Sequence, residues 1–175
     1  MFRKRPKSVV NVAEMYSDLR EMVLTLDPEQ YDLPPVGGAR LWGAVMELGY
    51  EETTATVVGL SDGTTSLYTT SGFGVIGGGA HESVREATEA WLLEMSAAVP
   101  DLSLASDVDP PGTSDVQFIA LTYDGHRVGQ AGEVSLQRGD SPLAPLYRSG
   151  QRVLSRLHDV EEQHRRSSRR GSRRR

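Results

Sequence analysis

The sequence predicts an α+β fold, a single domain in the order α-β-β-β-α-β-β-α, with a mainly antiparallel sheet and helices packed on it. Three apolar stripes repeat at spacings of three and four residues, and five Val/Thr/aromatic runs carry strand patterning. Asp-Gly turns sit inside two pairs of those runs. Strands that arrive in runs favour hairpins over the strand–helix alternation of a doubly wound parallel sheet. A chain of 175 residues can form a real core without disulfides, because a domain of this size buries about 70% of its unfolded surface.

A first helix is predicted over residues 12–26, where Val12, Met15, Leu19, Met22, Val23 and Leu26 fall on one stripe. Asn11 and Glu14 suit a capping box, and Asp27-Pro28 stops the helix. Residues 29–40, with Pro34-Pro35 and Gly37-Gly38, read as a connection. A strand follows over 41–48 with Trp42, Ala44, Met46 and Leu48 on one face; a second spans 54–60, and the Asp62-Gly63 turn leads to a third over 65–70. Beyond the glycine-rich segment 71–79, a second helix over 82–98 turns Val84, Ala87, Trp91, Leu92 and Met95 inward. Pro100 ends it, and 101–114 read as a polar loop. A hairpin of strands 116–123 and 127–136 then turns about Asp124-Gly125, 62 residues after the first Asp-Gly. Ser141 before Pro142 marks the start of a last helix reaching residue 162. Its seam is Leu143, Leu146, Tyr147, Gly150, Val153, Leu154 and Leu157, with Gly150 allowing a close approach.

Charge divides the chain into three parts. Residues 1–10 form a basic tail with Arg3, Lys4, Arg5 and Lys7, and residues 11–163 form the domain. Residues 8–163 hold 8 Arg against all 24 acids, a net of −16. The segment 164–175 carries Arg165, Arg166, Arg169, Arg170, Arg173, Arg174 and Arg175 with no apolar residue, and reads as a disordered tail making electrostatic contacts. Nucleic acid or an anionic surface is expected to be met only through this tail, since the acidic body repels phosphate. Ser167, Ser168 and Ser172 follow arginine pairs, where phosphorylation would cancel charge. No membrane span or signal peptide is legible, so a cytoplasmic protein is expected; the dominance of Arg over Lys points to a GC-rich bacterial source.

The absence of Cys excludes thiol chemistry, iron–sulfur clusters and Cys-ligated zinc. His81, His126, His158 and His164 show no metal-ligand spacing, so no metal is expected. His126 reads as a solvated hairpin residue, and His158 as a helix C-terminal residue favoured by the dipole. The run Gly72, Phe73, Gly74, Val75, Ile76, Gly77 has the letters of a dinucleotide fingerprint, but Gly78 and Gly79 displace the helix start and the preceding strand closes a hairpin. A strand-to-helix bend is the expected role. Gly77, Gly78, Gly79, His81 and Arg85 remain an anion-site candidate, and a phosphate- or small-molecule-binding enzyme centred on residues 72–85 is the alternative function. No catalytic residue and no cofactor is assigned.

The element order and acidic body over residues 11–160 resemble type III secretion chaperones, and more distantly roadblock-type modules. The stretch Leu60, Ser61, Asp62, Gly63, Thr64, Thr65, Ser66, Leu67, Tyr68 looks like that of uncharacterised proteins of GC-rich bacteria. The resemblance implies a non-enzymatic, frequently dimeric protein that binds another protein and transfers no functional residue. The expected function is an adaptor or chaperone-like module, docking a protein partner or a second copy on strand edges or on the last helix's seam. Nonspecific nucleic-acid binding by the tail is a further alternative.

Overall fold

The protein, seen in a computed structural model that describes residues 11–172 and side chains as far as Arg169, is built on a seven-stranded sheet. In chain order the elements are α1 (Val12–Leu24), β1 (Leu41–Gly49), β2 (Thr54–Leu60), β3 (Thr65–Thr69), β4 (Gly74–Val75), α2 (Glu82–Ala98), β5 (Ser103–Leu104), β6 (Asp115–Thr122), β7 (Gly125–Gly132), α3 (Glu133–Arg138) and α4 (Ala144–Ser172). The sheet order is β4-β3-β2-β1-β6-β7-β5 and every pairing is antiparallel. The two Asp-Gly hairpins therefore flank β1, which is buried along its whole length. Both outermost strands are two residues long, which blunts the edges expected to receive a partner. Residues 1–10, the expected basic tail, and 173–175 lie outside the described residues.

A β-bulge sets which side chains of β1 face which layer. The β1–β6 register slips between Leu41 and Gly43, so Leu41 joins Ala44, Met46 and Leu48 on one face while Trp42 turns to the other with Val45. Trp42 thus does not share the face of Ala44, as strict alternation predicts; one extra residue in the strand inverts everything before it.

Helices cover both faces of the sheet. On the first, α2 crosses from the β4 edge to the β5 edge and α4 lies beside it. Gly150 is the crossing point: a Cβ there would sit 2.7 Å from Met46 Sδ and 3.3 Å from Trp91 Nε1. The seam of the last helix is spent on this core, with Leu146, Val153 and Leu157 buried, and offers no partner a free face. On the second, α1 and the connection after it lie over Val45, Val58, Leu60 and Ile119.

Three further elements differ from expectation. The strand predicted over 127–136 ends at Gly132; residues Glu133–Arg138 coil into α3 because only Leu136 finds core while Val134 stays exposed, and Gly139, at φ 85°, closes the turn. The 101–114 loop contains β5, and the glycine-rich segment contains β4 and a 3₁₀ turn, Gly78–Ala80. Ser141 Oγ accepts from the Leu143 amide at 3.2 Å; α4 begins at Ala144, so Ser141 and Pro142 form a turn ahead of the helix instead of its N-cap and first residue. But α4 continues ten residues past Glu162 to Ser172, so 164–172, expected without structure, are helical. Arginine propagates helices well and its charge favours a helix C-terminus, and Arg166 pairs with Glu162 one turn back at 3.0 Å. His158 therefore lies well inside the helix, stacked on Phe73. Among the described residues no helix is long and apolar enough to cross a membrane.

Candidate functional site

The glycine-rich bend does bring its predicted residues together, and the geometry gives each a packing reason. Gly77 takes φ 78°, a left-handed conformation that favours glycine. A Cβ at Gly78 would strike Leu157, and one at Gly79 would strike the Gly63 carbonyl, so the bend is pressed between α4 and the β2–β3 turn. Arg85 donates to the carbonyls of Gly79 at 3.1 Å and Ala80 at 3.4 Å. Its charge is occupied by acceptors that would themselves repel an anion. His81 precedes α2 without capping it, Glu82 already occupies the first turn, and the His81 ring faces that of His164 at 5.5 Å. His126 is not solvated: its Nε2 lies 2.7 Å from the Leu24 carbonyl, which makes that nitrogen the protonated donor and caps the end of α1.

A second cluster lies under α1. Glu47, two residues before the end of β1, is fully buried. Arg20 grips it through two hydrogen bonds, Nε to Oε1 at 2.7 Å and Nη2 to Oε2 at 3.0 Å. Thr56 and Gln117 donate to the same carboxylate at 3.3 and 3.1 Å, while Arg20 and Gln117 also reach the carbonyls of Val108 and Asp109. The cluster thus fastens α1, three strands and the 105–114 loop at one point. Burial disfavours the charged guanidinium, but the Glu47 hydrogen bonds and charge outweigh it and hold the Arg20 pKa above its ordinary value. Tyr16 shares a hydrogen bond with Thr56 at 2.8 Å. Tyr68, edge-on to Tyr16, buries a hydroxyl with no partner among the described residues; burial above all, then the Glu47 charge, push its pKa up. The sequence signal for this cluster is a lone Glu in an otherwise apolar strand, which requires a cation.

The face of α1 is set by this cluster. Tyr16, Arg20 and Val23 point inward, so the apolar stripe read from the sequence is only half covered and Val12, Met15 and Met22 lie exposed along its edge. Between the second half of α1, the connection after it and the outer face of β2 and β3 opens a cavity of about 530 Å³, lined by Leu19, Val23, Leu60 and Tyr68. Met22, Tyr31 and Ile76 stand at its mouth, 56%, 63% and 76% exposed. Asp27 and Asp62 also line it. From Asn11 to Leu33 the chain carries six exposed acids, Glu14, Asp18, Glu21, Asp27, Glu29 and Asp32, and its one base, Arg20, is bound to Glu47. The groove is thus apolar with two acids, Asp27 and Asp62, in its lining, and the other five acids stand exposed on the surrounding surface of α1 and its connection.

No family model matches the chain, and no curated protein or solved structure does. Geometry and charge carry the functional reading. The remaining charged feature is the end of α4, where Arg165, Arg166 and Arg169 are exposed on a helix that the backbone continues through Arg170 to Ser172; Arg173, Arg174 and Arg175 lie outside the described residues.

Proposed function

We propose that the protein is a non-enzymatic, adaptor- or chaperone-like module that holds a basic amphipathic helix of a protein partner in the groove beside α1. One observation carries this reading: an apolar edge of Val12, Met15 and Met22 stands exposed on α1 and leads, at Met22, into an apolar cavity whose lining includes Asp27 and Asp62. Methionines adapt to varied apolar surfaces, which suits a module that takes helical segments. Asp27 and Asp62, with the exposed acids of α1 around them, favour a partner carrying Lys or Arg beside its apolar face. Occupation of Arg85 by backbone carbonyls weighs against the enzymatic alternative at the glycine-rich bend.

Fluorescence anisotropy with a labelled 14-residue Leu/Lys amphipathic peptide and its Leu/Glu counterpart tests the proposal. The Leu/Lys peptide is expected to bind and the Leu/Glu peptide not. The M15E/M22E variant adds negative charge while removing the apolar edge, so lost binding identifies the groove. Unchanged or stronger binding by M15E/M22E would assign the contact to bulk charge and overturn the reading. So would light scattering that shows a stable dimer which this variant dissociates, because a second copy would then cover the face.

A further inference from the structure

We infer that the end of α4 is a binding site for the phosphate backbone of nucleic acid, separate from the groove beside α1. Arginine doublets recur every four residues, at 165–166, 169–170 and 173–174. In an unstructured chain that repeat has no spatial meaning. Once α4 runs to Ser172, the described Arg165 and Arg169, four apart, lie about 6 Å apart along one flank of the helix, with Arg166 next to Arg165. Arg165, Arg166 and Arg169 are all exposed. Among the described residues Arg166 has only the surface pair with Glu162, an interaction worth little against a phosphate.

The acidic body does not defeat this site, because the helix carries it outward. His164, beside His81, marks a contact of α4 with the body; Val160 is the last buried residue before it. Arg169 lies five residues further on, about 7.5 Å along the axis. That distance is close to the Debye length of about 8 Å at physiological ionic strength, so the field of the body is partly screened at Arg169, while Arg165 and Arg166, about 1.5 and 3 Å past His164, lie within it.

Two features favour nucleic acid over other polyanions. A helix that binds a lipid surface buries an apolar face, and residues 161–175 contain no apolar side chain. Guanidinium groups take phosphate oxygens two at a time, and a duplex presents one charge per about 1.7 Å of axis, so every arginine on the flank finds a phosphate. Phosphate contacts are expected to dominate: the segment offers no Phe, Tyr or Trp to stack on bases and no Asn for base edges, and its one Gln, Gln163, precedes the arginines.

The test is binding of a labelled 20-base-pair duplex DNA to the full chain across a salt series, beside R165Q/R166Q/R169Q, with circular dichroism to confirm that the variant keeps its helix. The full chain should bind at low salt and weaken steeply as salt rises. Neutralising three arginines should flatten the log–log slope by about 2.7, at about 0.9 per phosphate contact. M15E/M22E should bind the duplex as the full chain does, which separates this site from the groove. Absent binding at low salt, an unchanged slope in the triple variant, or tighter binding to phosphatidylserine vesicles than to the duplex would each overturn the inference. Salt-sensitive self-association of the full chain without DNA would also overturn it, since the arginines would then serve the acidic body of a second copy.

Discussion

Removing Arg20 leaves a carboxylate with no access to water. Arg20→Met should therefore destabilise the fold by about 3–5 kcal/mol, read from urea denaturation, because breaking a buried pair strands its partner. The double variant R20M/E47L should recover most of that loss, since desolvation offsets much of what such a pair contributes. Tyr68 makes the opposite case. Its hydroxyl is buried and has no partner among the described residues, so Tyr68→Phe should be neutral or stabilising by about 1 kcal/mol. The pH dependence follows from the raised phenol pKa. Below the ordinary tyrosine value of 10.0 both states hold the proton; above it the unfolded chain ionises while buried Tyr68 resists, so stability is lost as pH rises. Thermal melts between pH 9 and 11 should fall less steeply for Tyr68→Phe than for the parent.

At the scale of elements, two glycines set the contacts of α4. Gly150→Ala places a methyl within 2.7 Å of Met46 Sδ and 3.3 Å of Trp91 Nε1, and should lower stability by about 1–3 kcal/mol through overpacking. Gly78 admits Leu157 in the same way at the strand-to-helix bend. The helix α1 is held differently: its polar residues Tyr16 and Arg20 face the sheet while Val12, Met15 and Met22 face out. A face that a solitary helix would bury is thus left as a surface, because Glu47 draws Arg20 beneath α1.

For the whole molecule, the division into an acidic body and a basic helical end predicts separable losses. Deleting residues 165–175 should leave the thermal midpoint within about 2 °C of the parent, since surface changes away from the core cost within about 0.5 kcal/mol. The same deletion should abolish duplex binding in the salt series. Much of this organisation is legible in one dimension. The Asp-Gly hairpins, the boundaries of β2 and α2, the close approach at Gly150 and the separation of charge follow from local rules, since each depends on neighbours within a turn or a strand. The bulge at Leu41–Gly43, the pairing of Arg20 with Glu47 and the groove beside α1 were decided only by tertiary structure. Each joins residues distant in the chain or inverts a periodicity through a register slip; the lone Glu47 in an apolar strand signals the need for a cation, but nothing local names Arg20 as that cation. The arginine repeat spans both kinds: its charge belongs to the sequence, while its alignment on one flank belongs to a helix nucleated and held by the packing of Val153, Leu157 and Val160.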